Sequence, residues 1–298
     1  MNSPQSAILS ESGPFALYAL FKVIGDPALV NARCKAVHEL IAEINDAQRA
    51  AELRAAVSFS STYWRYTDLE SPDSFGDFPT LGQGDLTAPS TNCDFLLHAH
   101  SNRHDLNFFL LREFLAPIAS EVQMLDETYG FRYLDSRDMI GFIDGTENPK
   151  TREQRAQTAI IRDGECQGGS FVMTQRYVHR LAAWEKLSVD GQEQTVGRTK
   201  ADSVELDDVP ANSHVGRVDI KENGIGLKIV RHSLPYGSVC GDHGLLFIAY
   251  CNRQHHFIEM LRRMYGETDG TSDALLRYTQ AVTGAFLYAP SMEQLSRV

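Results

Sequence analysis

The sequence predicts an α+β fold built from two consecutive β-α-β-β-α-β units. Two observations carry this expectation. Residues 15–135 read as strand, helix, strand, strand, helix, strand, and residues 170–288 repeat that order less cleanly. A length of 298 residues with 43% hydrophobic side chains supplies enough apolar surface for a large core, in one large domain or two ordinary ones.

In chain order, Phe15–Val23 is an apolar strand closed by the turn residues Gly25, Asp26 and Pro27. Val30, Val37, Ile41 and Ile44 recur at helical spacing, so one helix is expected over residues 28–51. Residues 54–60 and 93–98 have strand character. The Gly-, Pro- and Asp-rich loop between them, residues 73–89, is long enough to suggest a role. Residues 105–129 are expected to form a helix interrupted near Pro117, with residues 131–135 as the closing strand. In the second unit, strand 170–177 leads to a short helix, 178–187, and a polar insertion from about 188 to 213. Strands 226–231 and 244–250 follow, the first stopping at a Pro235-Tyr236-Gly237 turn. A helix over 252–265, a short helix over 273–279 and a strand over 285–288 complete the chain. This order is that of the ferredoxin-like unit, with antiparallel sheets packed with helices. The expected domains are residues 1–140 and 141–298. The duplication rests on element order, since no residue-level repeat is visible.

Composition excludes several classes of partner. A formal net charge of −11 argues against a nucleic-acid surface and against docking on anionic lipid. No apolar run approaches the roughly 18 residues of a membrane span. The N-terminal stretch has no basic segment ahead of its apolar residues, so a secretory signal is not expected. The five cysteines are scattered and form no C-x-x-C pair, which fits reduced thiols in a cytoplasm better than a disulfide framework or a zinc knuckle.

Three segments stand out chemically. Gly141-Phe142-Ile143-Asp144-Gly145-Thr146-Glu147-Asn148-Pro149 cannot be regular helix or strand, and it presents Asp144 beside an apolar stretch. A capping Asp in a tight turn would look the same. Ala211-Asn212-Ser213-His214-Val215-Gly216-Arg217 offers His214 as a ligand or as an ordinary structural histidine. Residues 226–237 run an apolar strand into Arg231, which could equally be a surface arginine.

Together these segments resemble the dye-decolourising peroxidases, most closely the bacterial subgroup that includes the cytoplasmic haem peroxidases of enteric bacteria. The resemblance covers the whole chain. It rests on G-F-I-D-G-T-E-N-P at 141–149, G-R-T-K at 197–200, S-H-V-G-R-V-D at 213–219 and K-E-N-G-I-G-L-K-I-V-R-H-S-L-P-Y-G at 221–237, and it continues through H-G-L-L-F-I-A-Y at 243–250. The family's fold of two ferredoxin-like units agrees with the element order.

The resemblance implies one non-covalent haem b per chain, in keeping with the absence of C-x-x-C-H. It implies hydrogen peroxide as oxidant and organic donors, such as dye-type aromatic compounds, as reductants, through a ferryl intermediate. His214 would ligate the iron. Asp273 would accept the hydrogen bond from the other ring nitrogen, although an N-cap after Gly270-Thr271-Ser272 explains Asp273 nearly as well. Asp144 would shuttle the peroxide proton, and Arg231 would stabilise charge on the leaving oxygen. Thr146, Glu147 and Asn148 would line the haem edge or its propionates. Phe247 would belong to an apolar wall, where core packing explains it equally well. Ser233 stands where some relatives carry Asn.

A homo-oligomer, dimer or higher, is implied as well. The chain ends soon after its last strand, so packaging as shell cargo is not expected. A haem-handling or iron-releasing protein with incidental peroxidase activity is the alternative, and a ferredoxin-like module binding a small metabolite ranks third. Metal binding by His98, His100 and His104 is not expected, because no carboxylate is spaced to complete the set. No Trp or Tyr is singled out as an electron relay.

Overall fold

The computed structural model describes residues 2–84 and 86–298; position 85, inside the 73–89 loop, lies outside the described residues. Eight strands occupy the centre: β1 (Phe15–Val23), β2 (Arg54–Phe59), β3 (Phe95–Ser101), β4 (Val122–Phe131), β5 (Ser170–His179), β6 (Val230–Arg231 with Leu234–Gly237), β7 (His243–Cys251) and β8 (Thr279–Ala281 with Ala285–Ala289). The first four lie in the order β4-β1-β3-β2 and the second four in the equivalent order β8-β5-β7-β6, antiparallel throughout. The duplication inferred from element order is therefore present in the strand arrangement. The two sheets also join at both edges. Tyr236 pairs with Gly130 across β6 and β4, and Tyr288 pairs with Phe59 across β8 and β2. The result is one closed eight-stranded barrel rather than two open sheets.

Strand alternation divides the side chains into two populations. On β1, Ala16, Tyr18 and Leu20 face the barrel interior, where they meet Leu96, Val172, Leu246, Ile248 and Leu287. Leu17, Ala19 and Phe21 face outward. Besides short helical turns, the helices include α1 (Pro27–Lys35), α2 (Val37–Ala47), α3 (His104–Leu115), α4 (Arg152–Ala159), α5 (Val189–Val196), α6 (His214–Val218) and α7 (Gln254–Met264). The outer face of the first sheet is filled by α1 to α3, with Val30, Ile41 and Phe114 packed on Phe21, Phe59 and Phe95. On the second sheet, Phe257 and Leu261 of α7 cover Phe171 and Phe286, and part of that face is left uncovered by α7.

Several expectations are corrected. The helix expected over 28–51 is two helices meeting at Ala36. The helix expected over 105–129 stops at Leu115, and after a short turn at Ala116–Ile118 the chain becomes β4. Residues 121–125 include good helix formers, but β4 pairs with β1 along its whole length, and that long-range pairing outweighs local propensity. Phe131 is consequently the last residue of a strand, and residues 131–135 are not one; the backbone turns through Tyr133–Ser136 instead. Val178 and His179 extend β5, leaving only Leu181–Trp184 as helix. Of the 226–231 strand, Val230–Arg231 belongs to the barrel, whereas Ile225–Gly226 pairs with Lys221–Glu222 in a separate hairpin. The expected Pro235-Tyr236-Gly237 turn is strand, paired with β7 on one side and with β4 through a single bridge on the other. The polar insertion holds α5, and the short helix expected over 273–279 is present as a single 3-10 turn, Ala274–Arg277.

Candidate active site

The uncovered part of the second sheet forms one wall of a cavity of about 400 Å³. This volume lies within the range of sites that enclose a cofactor or a small organic ligand. Met173, Gln175 and Tyr177 of β5 and Leu245 and Phe247 of β7 line that wall. Met260, Leu261 and Met264 of α7, His214, Val215 and Val218 of α6 and the loop 138–147 supply the others. The surface is mainly apolar, with titratable side chains at a few places.

His214 is the first residue of α6. Ser213 caps that helix by accepting a hydrogen bond from the Gly216 amide at 3.1 Å. Three residues beyond His214, the buried Arg217 makes two 2.8 Å bonds to Asp269 and donates to the Arg263 carbonyl at 3.0 Å, tying α6 to the end of α7. Gly197, at φ +92°, approaches so closely that a Cβ there would lie 2.8 Å from the Ser213 hydroxyl oxygen. The imidazole so positioned bonds through Nδ1 to Oδ2 of Asp273 at 2.7 Å. The other Asp273 oxygen, Oδ1, accepts from the Leu275 amide at 2.9 Å. Asp273 is therefore both partner of His214 and helix cap, one oxygen for each. Its side chain is fully buried, and the Asn212 carbonyl accepts from the Ala274 amide, so the two segments are also joined by backbone. Among the described residues, His214 Nε2 has no hydrogen-bond partner.

Asp144 and Arg231 line the same cavity where it meets a second, polar chamber of about 240 Å³. Asp144 heads a tight turn. Its amide donates to the Ser136 carbonyl, and its Oδ1 accepts from Gly145, which adopts φ +76°. The Arg231 guanidinium lies 3.9 Å from the Asp144 carboxylate, close enough for attraction and too far for a hydrogen bond. The Asn148 side chain bridges their two segments. It donates to the Arg231 carbonyl and accepts from the Arg231 amide, both at 2.9 Å. The chamber beyond is walled by Glu11, Ser12, Arg132, Tyr133, Arg137 and Arg155 among others.

The structure thus brings Asp144, Thr146, Glu147, His214, Arg231, Phe247 and Asp273 to one cavity. Ser233 lies elsewhere, in the wall of the polar chamber, with its hydroxyl 3.3 Å from the Ile248 amide. Asn148 also sits in that chamber, away from the cavity. Two polar features of the cavity were given no role in the sequence reading. Asp138 and His179, both buried, pair at 3.0 Å in the cavity wall, and Thr279 holds the other nitrogen of His179 at 2.8 Å. Arg198, within the G-R-T-K run, also lines the cavity and bonds Glu147 at 2.7 Å. Tyr177, in the floor, is raised well above the usual phenol range by burial, then by Tyr265 and Asp273, and stays neutral.

His98 and His100 point into the barrel beside His232, whereas His104 sits on α3 against Phe15 and Tyr129.

Comparison with known proteins gives this geometry a family. Residues 5–132 match the Dyp-type peroxidase N-terminal family and residues 135–294 the C-terminal one. A dye-decolorizing peroxidase of Mycobacterium tuberculosis is 36% identical over 98% of this chain and 90% of its own length. A dye-decolorizing protein from V. cholerae has 58% identity and a TM-score of 0.97, with 98% of each chain covered. A DypB variant from Rhodococcus jostii RHA1, solved in complex with heme, has 33% identity and a TM-score of 0.91 over 99% of this chain and 98% of its own. Matching both halves of the family pattern and such relatives along nearly its full length, the chain belongs to the dye-decolourising peroxidases and is a haem peroxidase.

Proposed function

We propose that the cavity holds haem b, non-covalently and one per chain, with His214 as the iron ligand and Asp144 and Arg231 acting on hydrogen peroxide. The pairing of His214 with the buried Asp273 in a cavity that also contains Asp144 and Arg231 carries this reading. The residues fit the group. Apolar walls suit a macrocycle, Nε2 of His214 is available as a donor, and Arg198 and Lys228 offer positive charge for the carboxylates of a porphyrin. Thr146 and Glu147 border it, Phe247 belongs to its wall, and Ser233 lines the approach. When bound, the haem supplies an iron that takes peroxide and stores its oxidising equivalents.

The protein groups then have distinct tasks. Asp273 accepts the Nδ1 proton of His214, which orients the ring, fixes its tautomer and makes Nε2 a stronger donor. Asp144 takes a proton from one peroxide oxygen and delivers it to the other. Arg231, permanently charged, stabilises the negative charge that builds on the departing oxygen. The polar chamber gives a small hydrophilic oxidant a route to these two side chains without passing the apolar wall. Organic donors, dye-type aromatic compounds among them, return the electrons. The haem-handling alternative is not favoured, because the relatives are named as peroxidases and a carrier needs only the His214 side.

The haem site is assigned to a C-terminal unit, 141–298, following an N-terminal unit, 1–140. A cytoplasmic location accords with five free cysteines, four of them buried, and no helix among the described residues is long and apolar enough to cross a membrane. A homo-oligomer, dimer or higher, accords with the exposed apolar side chains of Phe108 and Leu125. The test is the visible spectrum of haem-supplied protein before and after one equivalent of peroxide, for wild type, His214→Ala and Asp144→Ala. A histidine-ligated spectrum lost in the first variant, with a peroxide response slowed in the second, is expected. Unchanged spectra in His214→Ala would remove the ligand assignment.

A further inference from the structure

The strand that walls the cavity with Leu245 and Phe247 turns its alternate residues Leu246, Ile248 and Tyr250 into the barrel. Tyr250 is fully buried there, and its hydroxyl lies 2.7 Å from Nδ1 of His98; in the tautomer with the ring proton on Nε2, the hydroxyl donates to Nδ1. With Nδ1 accepting, the neutral His98 ring carries its proton on Nε2, which is buried and has no hydrogen-bond partner among the described residues. His98 stacks on Tyr18, with ring centroids 5.1 Å apart, and lies 5.8 Å from both His100 and His232. His232 directly follows Arg231, so this cluster begins one residue from the cavity.

The neighbouring histidines are fully engaged. His100 bonds Ser10 and the Gly13 amide, and His232 bonds Ser12 and the Ile8 carbonyl. Other deeply buried tyrosines donate to amide oxygens: Tyr18 to the His232 carbonyl, Tyr63 to the Asn31 side chain and Tyr288 to the Gln294 side chain. An amide oxygen is too weak a base to take the proton of an oxidised phenol, whereas an imidazole nitrogen, even one that burial makes less basic, is strong enough. The distinction matters for oxidation. A phenol that has lost an electron becomes a very strong acid, so it is oxidised at an accessible potential only if its proton has somewhere to go. Tyr250 has such an acceptor in direct contact.

We propose that Tyr250 and His98 form a proton-coupled redox pair that stores one oxidising equivalent during turnover. One electron passes from Tyr250 across a single sheet to the peroxide-oxidised haem. The phenolic O–H bond breaks, and its proton forms an N–H bond at Nδ1 of His98. The products are a neutral phenoxyl radical, an imidazolium and haem reduced by one electron. An organic donor then returns an electron to the radical, and the proton moves back to the phenol oxygen. Burial keeps the stored equivalent away from water while a donor arrives. The proposal rests on the haem site assigned above.

Freeze-quench electron paramagnetic resonance of haem-loaded enzyme, mixed with one equivalent of hydrogen peroxide and no donor, tests it. The optical spectrum is recorded on the same samples. A tyrosyl signal is expected in wild type, retained in Tyr18→Phe and lost in both Tyr250→Phe and His98→Gln, with the optical peroxide response present in all. Tyr250→Phe removes a single oxygen, so it decides the matter even if His98→Gln fails to fold. A signal that survives in Tyr250→Phe, is undiminished in folded His98→Gln, or is absent from wild type overturns the pair while the optical response leaves the haem site standing. Loss of the optical response in wild type overturns the haem site, and the pair with it.

Discussion

Lowering the pH through the histidine range is expected to destabilise the protein from inside its barrel. His98, His100 and His232 are all 2% exposed or less. Burial is the main cause that depresses each of them, to about 3 for His100, to about 4 for His232 and well below the ordinary value for His98. Neighbouring charges add to it: the rings oppose one another at His98 and His100, Arg54 acts on His100 and Arg155 on His232, while backbone hydrogen bonds at Ala7 and Ile8 partly offset the depression of His100 and His232, and Tyr18 and Tyr250 are neutral. Because the folded values lie below the unfolded value of 6.5, stability is intact above 6.5. Below it the unfolded chain takes up protons that the folded barrel refuses, until the folded values are reached near 3 to 4. Each histidine weakens folding by about 1.4 kcal/mol per pH unit in that window, and three by about 4 kcal/mol. Between pH ~6.5 and pH ~5 the loss is about 5 kcal/mol, a large share of a typical total of roughly 5–15 kcal/mol. Urea unfolding of haem-loaded protein at several pH values measures it. His100→Asn should reduce the pH slope by about a third, with cofactor effects common to both proteins. A wild-type stability that is flat across this range, or an unchanged slope in the variant, would refute the reasoning.

Other substitutions separate roles that share a residue. Asp273→Asn keeps a good N-cap but replaces the carboxylate behind His214, so haem affinity should fall by about 10–100-fold while the melting temperature of the fold changes little. Equal haem titration curves would contradict the pairing read from Oδ2. Asn148→Ala removes both bonds that hold the Arg231 backbone to the Asp144 turn, at about 1–3 kcal/mol. Stopped-flow mixing with peroxide should show a slower reaction with unchanged haem absorbance, and an undiminished rate would show that Asn148 does not position Arg231. Gly197→Ala forces a left-handed backbone on a residue with a Cβ and crowds Ser213, so thermal unfolding should show a loss of about 1–2 kcal/mol. No change in melting would mean that the His214 cap tolerates displacement.

The strand–helix order and the three chemical segments were readable because they are local. Asp144, His214 and Arg231 each sit in a short, chemically distinct run, but each also had an ordinary structural reading, and only the family resemblance of those runs favoured the functional one. Asp273 was readable only as a choice between two roles, and the structure assigns one carboxylate oxygen to each. What escaped depends on distant pairing. Residues 122–131 carry mixed propensities and become a strand because β1 lies alongside. Leu234–Gly237 reads as a turn by composition, yet it is held between β7 and β4. Asp138 and His179 are 41 positions apart, and only the fold of β5 against the 138–147 loop makes them partners. The histidines of β3 were noticed as a cluster, but their true third member, His232, comes from another unit of the chain.

The closed barrel has a consequence for how the protein is made. Its second seam joins Phe59 to Tyr288, so the edge of β2 remains without its neighbour until residue 288 has been synthesised. The first four strands are complete by Phe131, 157 residues earlier by subtraction. At the usual pace of about 5–20 residues per second, that edge waits for about 8–30 s. During this interval β2 and β4 are both open templates, and a second nascent chain offers the same pair of edges. Molecules stalled or truncated before β8 are therefore expected to join edge to edge with one another, in the register that the missing half would have used.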